Sequence, residues 1–461
     1  MSLSESWLRI LAAAVLVLLY VAMCAAIWWR ERRQRARAQH EAAALASARE
    51  GALPLLVAYA SQTGQAEELA RETARLLHTA GESVHLCALD AVDVKLLAQT
   101  QRALFIASTY GEGDPPDNAA LFLAHSMAQA QDLSHLQYGL LALGDRQYAQ
   151  FCGFGRALDG WLRAAGASPW FERIEMDNGA PQALTAWQHQ LTQISSLGDM
   201  PAWEMPVFSE WTLAARRHMN PGSAGEPVFH IELQPPATEA ALWESGDLAQ
   251  VCIPADPQHP REYSIASIAQ DGCVHLLVRQ ARREDGSPGL ASGWLTQGAP
   301  LGAAITLRLR AHRNFRLEDN LQRPLVLIGN GTGLAGLRSH LRARAAAGLG
   351  PNWLLFGERN AAHDRLYGDE LQAWCEGGVL QRLDLAFSRD RSEGAPRAYV
   401  QDLLAQSGDV LRQWVAQGAA IYVCGSLQGM AQGVDQALHA VLGEAQMELL
   451  VRSGRYRRDV Y

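Results

Sequence analysis

Lysine is almost absent from this sequence. Lys95 stands alone among 40 basic residues, the rest being arginine. No motif described below requires a lysine, so the bias is compositional. The Gly-x-x-x-x-Gly-Lys loop of nucleoside-triphosphate enzymes is lacking as well. Paired cysteines are also missing. The seven cysteines, Cys24, Cys87, Cys152, Cys252, Cys273, Cys375 and Cys424, form no C-x-x-C pair, and no histidine cluster has zinc spacing. Free thiols in a reducing compartment are expected, with no metal site. Charge is scarce too. Charged residues make up 19% of the chain against 48% hydrophobic, with a formal net charge of −8. That balance excludes disorder over most of the length and gives no reason to expect a nucleic-acid partner. The 461 residues allow about three domains of ~100–200 residues each, and no internal repeat is visible.

What is present begins with an uncharged run, ILAAAVLVLLYVAMCAAIWW, at residues 10–29. At ~1.5 Å per residue a helix of this length spans ~30 Å, the hydrocarbon thickness of a bilayer. Trp28 and Trp29 stand at its end, followed by RERRQRAR at 30–37 with five Arg and one Glu. Positive residues stay on the cytoplasmic side. A single-span anchor in the inner (cell) membrane with all later residues in the cytosol is therefore expected. A cleaved signal peptide is the rival, but its charge would precede a shorter apolar run.

Residues 38–50 are an Ala-rich polar spacer. From 52 to 198 short apolar runs (PLLVAYA, SVHLCAL, ALFIAST, GLLALGD, PWFERIEM) alternate with helical stretches, which predicts a doubly wound parallel sheet. Residues 199–225 read as a linker. The runs VFHIEL, LAQVCI, EYSIAS, CVHLLV and ITLRLR, within 226–320, predict a small antiparallel barrel. Strand–helix alternation returns in 321–461, predicting a second doubly wound domain. The fold class is α/β multidomain, behind a transmembrane helix.

Three loops of the first domain carry chemistry. Ser61, Gln62, Thr63 and Gly64 join a strand to a helix that continues through Gln65 and Ala66. Hydroxyls and free N–H groups at a helix start suit a single phosphate, although Ser and Thr also cap helices routinely. STYGEGDPPDNA (Ser108 to Ala119) and LGDRQYAQFCGFG (143–155) follow two further strands and supply Tyr110 and Tyr148. Ligands of open α/β sheets bind outside the carboxyl ends of the strands. A phosphate cradle and two tyrosines at one sheet edge fit a planar ring with a one-phosphate tail, the shape of FMN; each tyrosine alone would be a surface turn residue.

These motifs resemble the FMN loops of the diflavin reductase family, which includes NADPH–haemoprotein reductases and sulfite reductase flavoprotein subunits. The resemblance implies a flavodoxin-like domain in which Ser61 to Ala66 hold phosphate. Ser108, Thr109, Tyr110 and Gly111 would wrap the ring together with Leu143, Gly144, Asp145, Tyr148, Phe151 and Cys152. Tyr110 and Tyr148 would stack on it, and Asp177 would add a contact.

In the barrel, REYS places Arg261 and Tyr263 on one strand face, a cation for pyrophosphate beside an aromatic for a flavin, with Ser264 next to them. GLAS (Gly289, Leu290, Ala291, Ser292) opens a further helix, another phosphate-type helix start that is expected to contact the cofactor. The pair resembles the FAD module of ferredoxin reductase-like proteins, which implies FAD contacts at Val278 and Arg279. In the last domain Gly329, Gly331, Thr332 and Gly333 form a glycine turn between strand and helix, suited to a dinucleotide pyrophosphate. Ser388, Arg389, Arg397, Tyr399 and Gln401 resemble the family's 2′-phosphate signature, implying NADPH; on residue type alone they read as a solvated loop. The family also implies that Tyr461, the terminal residue, shields FAD, with Ser264, Cys424 and Asp459 around the hydride path. The expected route is NADPH to FAD to FMN to a haem protein or membrane redox acceptor. Ferric-chelate or sulfite reduction, or a non-catalytic relay lacking one flavin, are the alternatives.

Three departures stand out. Only about sixty residues separate the first domain from REYS, too few for the family's helical connecting domain. Gly336 stands where the family has Pro. CGSLQGMAQG lacks the acids that usually follow C-G. The window 52–198 holds 15 acidic and 8 basic residues, a net −7 suited to steering a basic acceptor.

Overall fold

The computed structural model describes residues 54–194, 207–237, 242–283, 285–390 and 398–461. The apolar run 10–29 and its arginine flank lie outside them. Among the described residues no helix is long and apolar enough to cross a membrane.

The first sheet runs β1 (Leu55–Ala60), β2 (Val84–Ala88), β3 (Arg102–Ser108), β4 (Gln137–Gly144), β5 (Ser168–Pro169) and β6 (Ile174–Asp177), in spatial order β2-β1-β3-β4 with β5 and β6 both on β4. All pairings are parallel. Strands covered by helices on both faces must be apolar throughout, which explains why β1 reads LLVAYA without alternation. The helix Gln65–Thr79 instead buries Ala66, Leu69, Ala70, Ala74 and Leu77, a 3.6-residue stripe facing the sheet. Trp187, fully buried on the helix Pro181–Ile194, reaches the same layer and donates its indole N–H to Thr73 at 3.0 Å. The strand order reverses between β1 and β3, and the loops 61–66 and 108–119 leave the sheet at that switch point.

The second sheet is antiparallel: β7 (Ser209–His218), β8 (Val228–Gln234), β9 (Leu248–Ile253), β10 (Asp256–Ser264), β11 (Val274–Arg279) and β12 (Ala304–Arg310), in order β10-β9-β12-β7-β8-β11. A bridge between Ile265 and Leu276 brings its two edges together as a barrel. Its interior is filled by alternate residues, including Trp211, Leu213, Ile231, Leu233, Ile305 and Leu307. Strand β7 corrects the sequence expectation, for it lies inside 199–225, read there as linker. The alternation of buried Trp211 and Leu213 with exposed Glu210 and Thr212 is present, but the flanking Pro and Gly residues mask it.

The third sheet comprises β13 (Leu325–Asn330), β14 (Asn352–Glu358), β15 (Arg382–Phe387), β16 (Ala420–Gly425) and β17 (Tyr456–Val460), all parallel in order β15-β14-β13-β16-β17. Its switch point lies between β13 and β16. Gly333 sits there against the backbone of β16; a Cβ at that position would lie 2.1 Å from the Cys424 carbonyl oxygen, so only glycine fits.

Candidate functional site

Ser61 is buried, and its hydroxyl accepts from the N–H groups of Gly64 (3.0 Å) and Ala66 (3.1 Å). That folds the loop over the start of the helix, with Gly64 at φ 95°. Among the described residues the N–H groups of Gln62, Thr63 and Gln65 meet no protein acceptor. Free amides beside a helix N-terminus fit a phosphate, and the Ser61 cap leaves these three available for one. The second loop is tied to the first. Asn118 accepts from the Ser61 N–H at 2.8 Å, and the Gln62 side chain both donates to Asp117 (3.0 Å) and accepts from its N–H (2.8 Å). Ser108 donates to the Ala60 carbonyl, and the Thr109 hydroxyl accepts from the Phe154 N–H.

In the third loop Asp145 accepts from Gln147, and Asp177 from the N–H of Arg146 (3.0 Å). The Arg146 guanidinium lies 4.7 Å over the Phe151 ring. Cys152 is buried in a left-handed conformation (φ 55°) under Leu143 and Gly144, and burial pushes its thiol pKa up to about 12. These residues shape the loop.

The two tyrosines part company. Tyr148 stays 46% exposed. Tyr110 packs with Leu427 against the core of the last domain, and its buried hydroxyl meets no protein partner. It lines a cavity of about 270 Å³ together with Thr63, Glu262, Tyr263, Ser264, Val278, Arg279, Thr332, Asp459 and Tyr461. Thr63 and Tyr110 of the first domain thus share a wall with Tyr263 and Ser264 on β10 of the barrel.

Ser264 donates to the Asp459 carboxylate at 2.7 Å, and the Cys424 thiol lies 3.7 Å from the same oxygen. Cys424 and Asp459 are register partners on β16 and β17, which explains how residues 35 apart meet. Burial, then the Asp459 charge, hold the Cys424 thiol well above its usual pKa, so it remains S–H. Tyr461 donates its hydroxyl to Thr332 at 3.1 Å.

Tyr461 also borders a second cavity of about 560 Å³, lined by Arg279, Gly331, Thr332, Glu358, Arg359, Ser388, Tyr399 and Gln401 among others. Arg279 donates to Glu358 at 2.5 Å and so touches both cavities. Several expected residues are not among those that gather here. Arg389 is exposed and outside the lining, and Arg397 lies outside the described residues. The Ser292 hydroxyl is taken by the Ala281 N–H at 2.9 Å, and Gly289, Leu290 and Ala291 lie off both cavities. Arg261, on β10, hydrogen-bonds the His259 carbonyl and also lies off them.

Sequence reasoning missed Arg359 and Glu358. Their signal was position, at the carboxyl end of a parallel strand. It also missed His230, Glu232 and His275, whose potential ligand atoms lie within 4.8 Å of one another. Arg338 points a guanidinium nitrogen at His275 from 3.4 Å, which opposes a cation there.

Comparison with known proteins agrees with this geometry. Residues 57–187 match the flavodoxin family, and residues 327–436 the oxidoreductase NAD-binding domain. The sulfite reductase [NADPH] flavoprotein alpha-component of Vibrio cholerae is 30% identical over 550 residues, covering 90% of this chain and 88% of that protein.

The chain belongs to the diflavin reductase family. It is a flavoprotein oxidoreductase whose cofactors are FMN, FAD and NADPH. The counterpart from Neisseria meningitidis is 28% identical over 581 residues, with 95% of each chain covered. Both alignments are longer than the 461 residues of this chain, so each diflavin relative carries segments with no counterpart here. Only residues 195–208 lie between the helix Pro181–Ile194 and strand β7 of the barrel.

Proposed function

We propose that this diflavin reductase draws electrons from NADPH and hands them to a haem-protein or membrane redox acceptor. One observation carries the reading: Tyr110 and Thr63 of the FMN loops line the same cavity as Tyr263 and Ser264 of the FAD strand, and Tyr461 joins that cavity to the NADPH one. The three sites are consecutive. The bound flavins supply the redox chemistry, two-electron uptake at FAD and single-electron delivery from FMN.

The residues position that chemistry. Gln62, Thr63 and Gln65 present N–H groups to the FMN phosphate. Tyr263 lines the FAD cavity, with its hydroxyl pKa raised by burial. Ser264, Asp459 and Cys424 form a hydrogen-bonded group that would lie beside the hydride path, and Tyr461 would shield the flavin there. Arg359, Ser388, Tyr399 and Gln401 would grip the NADPH phosphates, with Arg279 held at the boundary by Glu358.

The N-terminal apolar run and its arginine flank support an anchor in the inner membrane, with the flavin domains on the cytoplasmic side. That favours an acceptor at the membrane. A second reading is a flavoprotein component for sulfite or ferric-chelate reduction, favoured by the names of the relatives. A relay that has lost one flavin is disfavoured, since Thr63 and Tyr110 of the first domain and Tyr263 and Ser264 of the barrel line one shared cavity. The test is flavin content and reduction of the purified full-length chain. One FMN and one FAD per chain, with NADPH-driven reduction of cytochrome c, supports the route. FAD without FMN, or flavin bleaching with no onward transfer, overturns it.

A further inference from the structure

The peptide units of the phosphate loop are gripped from behind by the barrel. Asn314 donates its side-chain amide to the Ser61 carbonyl at 2.7 Å. The His312 Nε2–H donates to the Gln62 carbonyl at 2.9 Å. Arg310 donates to the Thr63 carbonyl at 2.6 Å. Three successive carbonyls of one domain thus meet three alternate side chains of another, at and just beyond the end of β12. Arg308, two residues earlier, continues the series with an ion pair to Glu68 at 2.8 Å.

The grip is buried and braced. His312 is fully buried, and Arg310 is 4% exposed. Arg310 also pairs with Glu262 of the REYS strand at 2.5 Å. Asp247 accepts from the His312 N–H at 3.0 Å and from the Arg316 guanidinium. The loop sits so close that a Cβ on Gly64 would lie 3.0 Å from the Ala311 carbonyl oxygen.

A trans peptide is planar, with its C=O and N–H pointing opposite ways. Holding the Ser61 and Gln62 carbonyls toward the barrel therefore turns the Gln62 and Thr63 N–H groups away from it, toward the phosphate. From this geometry we propose that Arg310, His312 and Asn314 are positioning residues which couple FMN binding to docking of the two flavin modules. This rests on the assignment of 61–66 as the FMN phosphate loop. The clamp prepays the ordering of the loop, so FMN binds more tightly to the docked chain, and by reciprocity bound FMN favours docking. It also supplies, within a short chain, a rigid attachment between modules joined by few residues.

The experiment measures the FMN dissociation constant by fluorescence titration of the full-length chain stripped of FMN, with FAD content as the check on folding. Asn314→Asp is isosteric and replaces the donor with an acceptor that faces a carbonyl. His312→Ala removes a second donor, and His312→Gln restores one. Asn314→Asp and His312→Ala are each expected to weaken FMN binding about tenfold at unchanged FAD content, with His312→Gln close to wild type. FMN affinity equal to wild type in both variants overturns the clamp while leaving the FMN site standing. Equal loss in His312→Gln and His312→Ala also overturns it. Wild-type chain that takes up no FMN overturns the site assignment and the clamp together.

Discussion

Arg458, three residues from the C-terminus, lies against Asp117 in the STYGEGDPPDNA loop, its Nε donating to Oδ2 at 3.0 Å. The Arg458 carbonyl accepts in turn from Gln62 at 3.3 Å. Strand β17, just before Tyr461, is thereby fastened to the loops 61–66 and 108–119. Asp117 and Glu68, two of the acids behind the −7 of the first domain, find their cations inside the chain, on Arg458 and Arg308. A basic acceptor would compete with these arginines for the same face.

Breaking that contact should loosen the modules. Asp117→Asn is expected to weaken docking by about 1 kcal/mol, since it leaves a half-buried Arg458 with only Asp435 at 3.9 Å as its counter-charge. Stopped-flow absorbance should show FAD reduction by NADPH unchanged and electron passage to FMN slowed several-fold. Equal rates in both steps would refute a docking role.

The Ser264–Asp459–Cys424 group should govern the hydride step. Ser264→Ala and Asp459→Asn are expected to slow FAD reduction by about 10–100-fold with little change in NADPH binding. Because burial holds Cys424 as the neutral thiol, hydride transfer should show no titration from a thiolate at moderately alkaline pH. A step in the rate near pH 8–9 that vanishes in Cys424→Ala would contradict this.

Removing the terminal ring should expose FAD. Tyr461→Ala is expected to raise NADH use relative to NADPH by at least about tenfold, read as the ratio of kcat/KM values. An unchanged ratio would count against shielding by Tyr461.

Acid should unfold the reductase half through its buried histidines. Burial lowers the pKa of His230 and His275 to about 4 and that of His340 to about 3, from an ordinary value near 6.5. The folded state binds fewer protons than the unfolded one. Stability is therefore full above pH ~6.5 and is lost as pH falls toward 4. Denaturant titrations should show a loss on the order of a few kcal/mol across that window, reduced in His230→Gln. A flat profile would contradict the neutral, buried state of these rings.

Most of the architecture was legible because parallel strands buried on both faces must be continuous apolar runs, and helices over them must carry a 3.6-residue stripe. Strand β7 was not, since the segments around it carry Pro and Gly that read as linker. The loop motifs nominated Ser61–Ala66, Ser108–Gly111, Tyr263, Ser264 and Gly331–Gly333, and the structure sets Thr63, Tyr110, Tyr263, Ser264 and Thr332 around one cavity. Ser292 was read as a ligand contact, but its hydroxyl holds the Ala281 N–H. The sequence shows a hydroxyl beside a glycine, never which group satisfies it.

Three modules and their order can be read along the chain, because strand ends, glycine turns and hydroxyl-capped helices are local and are written in consecutive residues. How the modules meet is a matter of packing. Asp117 reaches Arg458 across 341 residues, His312 reaches Gln62 across 250, and Ser264 reaches Asp459 across 195. Such pairings rest on the closure of a barrel and the switch points of two sheets. No local pattern encodes them, because a side chain's partner across space depends on where every intervening strand has packed.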